Sequence, residues 1–394
     1  MKSVRENNLF PLLFLINCFV TFGFAVSDTL FSYNFSTLLG TGLYLSMAFT
    51  LYSSAKIVFG PIAGRLIGKY SAYSVLGAAL AAFLVVSLLL MGASDKYIVI
   101  GARILQGAAC ALFRPVMYYM LGLSCSGEGY GRQTGLFDIS FYSALAAGPF
   151  IGGWLLQKFG FMGVSAAIAS CCIFAFGLFL LTAANKPHSE LLHYGNRSVK
   201  SLAVGLLFCS LLFFIFFRAC CISVLSVYLP LYMAAENFSA SEIGTVLSVL
   251  SASTAAVLMF SGSLADNIDR KLLMSLGSLL TSFVYVLLPF ATSFLSLIVM
   301  VVAIGFFNAL SQPAASSMLL EHAGSNNAGQ SLSLFNTVMG VGFACGPLVG
   351  GVVYELCGIN GVFTAAGVVG AAASIIFFIF HALLPEYLLP NQEA

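Results

Sequence analysis

The sequence predicts an all-α membrane protein, with twelve transmembrane helices in two six-helix parallel repeats around a central cavity. Three observations predict it. Of 394 residues, 60% are hydrophobic and only 8% charged, with a mean hydropathy of +1.00. A soluble chain of this length has no interior large enough for that much apolar surface. Apolar runs of about 20 residues, the length that crosses a ~30 Å hydrocarbon core as a helix, recur along the chain. Finally, the string "ALAAGPFIGG", Ala144 to Gly153, returns as "GFACGPLVGG", Gly342 to Gly351, at an offset of 198 residues.

The first span, 9–32, follows Lys2 and Arg5. Its apolar stretch is too long for the core of a cleavable secretory signal and suits a membrane helix. Five more spans fall at 41–64, 73–94, 97–121, 135–156 and 161–183. The polar stretch "ANKPHSELLHYGNRSVK" then interrupts the pattern. Six further spans follow at 202–228, 241–264, 271–292, 295–318, 330–353 and 360–384. The expected division is a bundle at 1–183, a linker at 184–201 and a bundle at 202–394.

Loop charges orient the chain, because Lys and Arg accumulate on the cytoplasmic side. With the N-terminus inside, Arg65, Lys69, Arg132, Lys186, Arg197, Lys200, Arg270 and Lys271 join Lys2 and Arg5 in the cytoplasm. Only Lys96 and Lys158 lie outside. Both termini and the linker are therefore expected in the cytoplasm, in a multi-pass protein of the plasma (inner) membrane.

Other function classes lack a signal. A net charge of +2 gives no footing for nucleic acid. The ten cysteines fall mostly inside apolar spans and show no metal-ligand spacing, and the four histidines are scattered. No nucleophile–base pair, metal site or phosphate loop is present. No cofactor, no metal and no enzymatic activity are expected.

The 198-residue offset extends beyond the opening string. It brings Gly131 onto Gly329, Leu136 and Phe137 onto Leu334 and Phe335, and Gly160 and Gly163 onto Gly358 and Gly361. Six helices per half, both entering from the cytoplasm, make parallel repeats about an axis along the membrane normal, with a binding site expected between them. Gly148, Pro149, Gly152 and Gly153, with their counterparts Gly346, Pro347, Gly350 and Gly351, then acquire a purpose. Small residues let helix backbones approach closely in lipid, and proline bends the helix. Spacing alone leaves two readings open, close packing within one bundle or a moving contact between bundles.

These motifs resemble those of the major facilitator superfamily, over essentially the whole chain. The two glycine–proline strings resemble that superfamily's antiporter motif, with Ala144 in place of its first glycine. "GSLADNIDRK", from Gly262 through Asp266 and Arg270 to Lys271, resembles its cytoplasmic loop motif. "GRLIGKYSAY", Gly64 to Tyr73, resembles a degraded partner in which Gly68 replaces the acid. "RILQG", Arg103 to Gly107, resembles the fourth-helix motif of proton-coupled members. The resemblance, closest to the twelve-helix drug:proton antiporters, implies alternating access by rocking of two halves and a cavity lined by spans one, four and seven.

A charge at mid-bilayer costs about 2.5–3.5 kcal/mol, so each embedded charge needs a reason. Arg103, Gln106, Cys110 and Arg114 are spaced i, i+3, i+7 and i+11, which places both arginines on one helix face roughly 16 Å apart. Asn17, Thr21 and Asp28 form a polar stripe on span one. Asp28, Arg103 and Arg218 lie toward the outer side, and Lys56, Arg114 and Asp138 toward the cytoplasm. Plainer alternatives stand beside each role. Asp28 could be a solvated interfacial carboxylate, Arg103 a donor to span-one carbonyls, and Lys56 a snorkelling side chain. Asp138 sits in the first turn of span five, where the helix dipole favours an acid. Asn308, Ser311 and Gln312 share one face of span ten.

The expected function is proton-coupled export of a small organic molecule, with Asp28, Arg103 and Asp138 in proton coupling. Arg103, Gln106, Arg114, Arg218, Lys56, Asn308 and Gln312 are the candidate substrate contacts. Four embedded cations against two acids favour a substrate with anionic groups, metallophore-like or drug-like. Protonation of Asp28 and substrate binding are expected to exclude each other. Uptake by symport or facilitated diffusion is the alternative, and a membrane sensor or enzyme the remote one. The expected partners are the solute, protons and the bilayer, around a monomer. Because only the second cytoplasmic motif keeps its acid, Asp266→Asn is expected to impair transport or shift accessibility labelling, while Gly68→Ala leaves both near wild type.

Overall fold

The computed structural model describes residues 9–124, 130–184, 206–323 and 328–383; the side chains at 67–68, 123–135, 182–184, 206, 259, 262–267, 316, 319–323, 328–333 and 382–383 fall outside that description. Apart from its first residue, the expected linker at 184–201 lies outside the described residues, as do the side-chain surroundings of Asp266 and the environment of Gly262.

The described residues form α-helices, one short 3-10 turn and no strands. The helices are α1 (Leu9–Asp28), α2 (Phe31–Leu39), α3 (Leu43–Lys69), α4 (Ala72–Met91), α5 (Lys96–Ser124), α6 (Tyr130–Ala184), α7 (Leu206–Ala235), α8 (Ala240–Asn267), α9 (Arg270–Leu287), α10 (Phe294–Ala323) and α11 (Ala328–Leu383). The 3-10 turn Leu288–Phe290 follows α9. Ten helical stretches among the described residues are long and apolar enough to cross a membrane. Two of them, in α6 and α11, run for 46 and 48 residues, more than twice a single crossing. Each contains one break, at Gly160 (φ 65°) and at Gly358 (φ 71°). Positive φ interrupts the helical ladder, and only glycine takes it without steric cost.

Local chemistry starts two of the other helices. Before α8, Ser239 and Glu242 form a reciprocal capping box, with Ser239 N–H to Glu242 Oε2 at 2.8 Å and Glu242 N–H to Ser239 Oγ at 3.3 Å. Asp269 caps α9 by accepting the Lys271 N–H at 2.9 Å.

Span one is expected to run unbroken over 9–32, but the helix stops at Asp28 and restarts at Phe31. Neither glycine nor proline marks the break. Leu30 leaves helical geometry at φ −98°, ψ 6°, and the Thr29 hydroxyl donates to the Ala25 carbonyl at 2.8 Å. The charge cluster described below holds both sides of this break, which is why local propensity does not reveal it.

The chain divides into two compact units, one of Met1–Gly195 with Met233–Ser248 and one of Asn196–Tyr232 with Val249–Ala394. In the first, α1 packs mainly on α6, and α3 and α4 pack on α5. In the second, α9 packs on α10 and α11. The core of the second unit joins Phe208, Phe214 and Ile215 of α7 to Met274 of α9, Ala315 and Met318 of α10, and Phe335 and Phe377 of α11.

Glycines set the tightest seams. In the first unit, a Cβ on Gly148 would lie 2.5 Å from the Ala25 Cβ, and one on Gly152 would overlap the Val26 carbonyl oxygen. A Cβ on Gly153 would overlap the Ala240 carbonyl oxygen at the start of α8. In the second unit, Gly346 meets Ser223 and the Cys220 carbonyl, and Gly350 meets Tyr228 and Val224 of α7. The pairs Gly148–Ala25 and Gly346–Ser223, and Gly152–Val26 and Gly350–Val224, are separated by the same 198 residues.

Because the obstacle at Gly152 is backbone, Gly152→Ala is expected to destabilise the purified protein by about 1–3 kcal/mol. Gly64 in α3 has nothing within 4 Å of a built Cβ. Gly64→Ala is expected to be neutral or stabilising by up to about 1 kcal/mol. Thermal unfolding of both variants in detergent checks the contrast.

Candidate functional site

Two buried arginines and their surroundings form the chemistry-bearing sites, one in each unit. In the first unit, Arg103 on α5 is 1% exposed and Gln106, one turn on, is fully buried. Arg103 Nη1 donates to Asp28 Oδ1 at 2.8 Å and to Gln106 Oε1 at 2.9 Å. Gln106 Nε2 donates to both Asp28 oxygens, at 3.1 and 2.9 Å. One carboxylate, one amide and one guanidinium thus close a ring, and the Asp28 side chain retains 30% exposure.

The ring explains the interrupted first span. Asp28 ends α1, where the helix dipole disfavours an acid, and Arg103 offsets that penalty. The guanidinium lies 3.4 Å from the ring centroid of Phe31, the first residue of α2, and is flanked by Phe49 and Tyr52 of α3 at 5.2 and 5.7 Å. Cation–π contact offsets part of the desolvation of Arg103. Its Nε and Nη2 have no hydrogen-bond partner among the described residues. The close approach of α3 to α5 relies on Gly107, where a Cβ would overlap the Tyr52 carbonyl oxygen.

The other sequence candidates in this unit separate from that ring. Tyr118 Oη donates to Asp138 Oδ1 at 2.5 Å. Arg114, exposed, lies 4.0 Å from the Phe141 ring centroid. Lys56, also exposed, lies 5.3 Å from the Tyr52 ring centroid. Asn17 of the expected polar stripe is buried and donates to Ser140 of α6 at 2.7 Å.

In the second unit, Arg218 on α7 is 6% exposed. Its Nη2 donates to Asn308 Oδ1 at 2.8 Å and to the Asn308 carbonyl at 3.0 Å. It has no carboxylate partner among the described residues. Ser311, on the same face of α10 as Asn308, donates to the Met274 carbonyl at 3.2 Å. Gln312 is half-buried. Of the conformational candidates, Arg270 begins α9, Pro149 and Pro347 lie inside α6 and α11, and Gly351 is buried.

Sequence reasoning misses Phe31, Phe49 and Tyr52 around Arg103, Tyr118 beside Asp138, and Tyr285 near Arg218. Aromatic rings in an apolar span give no periodic signal. A signal does exist on α9, where Ser278, Thr281, Ser282 and Tyr285 are spaced i, i+3, i+4 and i+7, a polar stripe on one helix face.

Removing Asp28's charge leaves Arg103 buried without its counter-charge. Asp28→Asn is expected to cost about 3 kcal/mol, at the low end for broken buried pairs because Asp28 is part-exposed. Adding Arg103→Gln should recover part of that loss. A double-mutant cycle on thermal unfolding checks it, with a coupling of about 0.5–3 kcal/mol expected.

The family model of the Major Facilitator Superfamily matches residues 13–239 and 211–393. A proton-coupled antiporter flippase, LtaA, of Staphylococcus epidermidis is 25% identical over 345 residues, covering 84% of each chain. An MFS-type transporter of Methanocaldococcus jannaschii is 23% identical over 294 residues, covering 70% of this chain and 73% of its own. Among solved structures, a bacterial homolog of the human lysosomal transporter Spinster aligns with a TM-score of 0.82 at 12% identity, covering 99% of each chain. A peptide transporter, POT, aligns with a TM-score of 0.80 at 11% identity, covering 97% of this chain and 96% of its own. These relatives and fold neighbours are transporters rather than enzymes. With its helical fold and its motifs, this chain belongs to the Major Facilitator Superfamily.

Proposed function

We propose that the protein is a secondary transporter that exports a small organic molecule in exchange for protons, by alternating access. The observation that carries the reading is the Asp28–Arg103–Gln106 ring. The carboxylate is held by charge-assisted hydrogen bonds yet keeps an exposed edge. A proton arriving at that edge competes with a hydrogen-bond-donating group of the solute. Occupancy by one excludes the other, which is the condition for antiport. The staphylococcal relative named a proton-coupled antiporter flippase supports exchange. Asp138, bonded to Tyr118, is the second proton site in this reading. Arg114, Lys56 and Gln312 are further solute contacts.

The breaks at Gly160 and Gly358 and the matched glycine seams support twelve spans in two parallel repeats, at 1–183 and 202–394, joined by a linker at 184–201. Both termini face the cytoplasm in this reading, the location is the plasma (inner) membrane, and the working unit is a monomer. Four embedded cations against two acids favour an anionic, metallophore-like or drug-like solute.

Symport is the second reading, and one observation favours it. Arg103 Nε and Nη2 are buried without partners, and protonating Asp28 would free this cation for an anion. The sign of the pH effect separates the two. Antiport requires that solute binding weaken as pH falls and Asp28 gains its proton, whereas symport requires that it strengthen.

The experiment begins with a thermal-shift screen of the purified protein against organic acids, chelators and lipophilic cations. Counterflow of the hits follows in proteoliposomes under an imposed pH gradient. Asp28→Asn, the neutral mimic of the protonated carboxylate, is expected to lose gradient-driven accumulation in either reading, with solute binding weakened under antiport and kept under symport. Full gradient-driven transport by Asp28→Asn would move the coupling site to Asp138 or remove proton coupling altogether.

A further inference from the structure

Arg218 poses a problem that its neighbours leave open. A guanidinium carries a full charge and five N–H donors. Here it is 6% exposed, and two hydrogen bonds, both from Nη2 to Asn308, are its complement among the described residues. An amide oxygen and a backbone carbonyl supply dipoles rather than a counter-charge. Burying a charge without one costs several kcal/mol. In the first unit, by contrast, Asp28 meets Arg103.

The space beside Arg218 is a pocket of about 10 Å³, room for about one water, lined by α7, α9, α10 and α11, with Tyr285, Ser278 and Asn308 on its wall. Its polar groups are not equivalent. Thr281 and Ser282 donate their hydroxyl protons to the Gly277 and Ser278 carbonyls of their own helix, each at 2.8 Å. They present only lone pairs to the pocket. Tyr285 and the Asn308 amide nitrogen have no such bond among the described residues. The donors available to a guest are therefore Arg218, Tyr285, the Asn308 amide and the Ser278 hydroxyl, a set suited to an oxyanion. Among the described residues, no acidic side chain lines the pocket to oppose one.

We propose that this pocket takes a carboxylate- or phosphate-type oxyanion, with Arg218 as counter-charge, Tyr285 as second donor, and Asn308 as the group the oxyanion displaces from the guanidinium. Arg218 would then exchange two neutral acceptors for a charged one, which makes shorter and stronger bonds. The guest gains room as the Asn308 side chain swings off the guanidinium and turns its amide nitrogen to the oxyanion. The proposal rests on the transport reading only in making the oxyanion part of the carried solute. The binding site itself stands on the geometry.

The test measures ligand-induced thermal shifts of the full-length protein. Benzoate and phenyl phosphate are the probes, and benzamide is the neutral control. In detergent, both anions are expected to raise the melting temperature and benzamide to leave it unchanged. Arg218→Gln should weaken benzoate binding at least tenfold, and Arg218→Lys less. Asn308→Asp supplies a permanent counter-charge. It is expected to fold and to lose the anion response, so it decides the matter should Arg218→Gln fail to fold.

A second arm, in nanodiscs of phosphatidylglycerol or phosphatidylcholine, identifies the source. Stabilisation by phosphatidylglycerol that Asn308→Asp abolishes assigns the oxyanion to a lipid headgroup, and a response to soluble anions alone assigns it to a solute. No stabilisation by any anion, or equal stabilisation of Asn308→Asp and wild type, overturns the proposal. Anion binding without pH-gradient-driven flux would overturn the coupling mechanism and leave this site standing; gradient-driven flux without anion binding would do the reverse.

Discussion

The constraint on which the first unit depends is that a guanidinium in an apolar helix bundle must find its counter-charge inside the bundle. Arg103 finds it in Asp28, and several local features follow. The first helix stops at that residue. The next begins with Phe31, whose ring lies against the guanidinium. Gln106 is fully buried because it bonds to both partners. Helix α3 comes close enough to set Phe49 and Tyr52 beside the charge, and it can do so because Gly107 has no side chain. In the proposed reading, a proton added to Asp28 would weaken a junction of four helices, α1, α2, α3 and α5, and so link protonation to conformation.

The second unit handles the same problem differently. Arg218 meets an amide and a carbonyl, and its surroundings are rich in hydroxyls. An arginine neutralised by its own chain is stable and unreceptive, whereas one held by neutral groups remains receptive to an anion. The two arginines thus differ in their partners: one is tied to a carboxylate, and the other, in the proposed reading, is open to a guest.

Small residues supply the geometry within which these charges act. Gly148 and Gly152 bring α6 onto α1 just before Asp28, and Gly346 and Gly350 bring α11 onto α7 just after Arg218. Lipid offers no hydrophobic drive for helices to associate, so close backbone approach and its dispersion contacts take that role. The first seam ends two residues before the charged ring. A shift of α6 along α1 would therefore reach Asp28 through a short run of backbone.

Much of this was legible in the sequence because it depends on one-dimensional quantities. Hydropathy and length reveal membrane-crossing helices, since a crossing needs a fixed number of apolar residues. The 198-residue offset aligns the glycine–proline strings, and embedded charges stand out because the bilayer penalises them. Gly160 and Gly358, as glycines between long apolar runs, already suggest breaks. Tertiary structure decided what depends on a partner distant in sequence. The break after Asp28 has no glycine or proline to announce it, because an ion pair with a residue on α5 sets it. Tyr118 and Asp138 are twenty residues apart and on different helices, so no helical periodicity joins them. The sequence marks Arg103 and Arg218 equally as buried cations. Only the fold reveals that one has a carboxylate and the other an asparagine, because a counter-charge is a matter of distance in space, which composition and spacing do not encode.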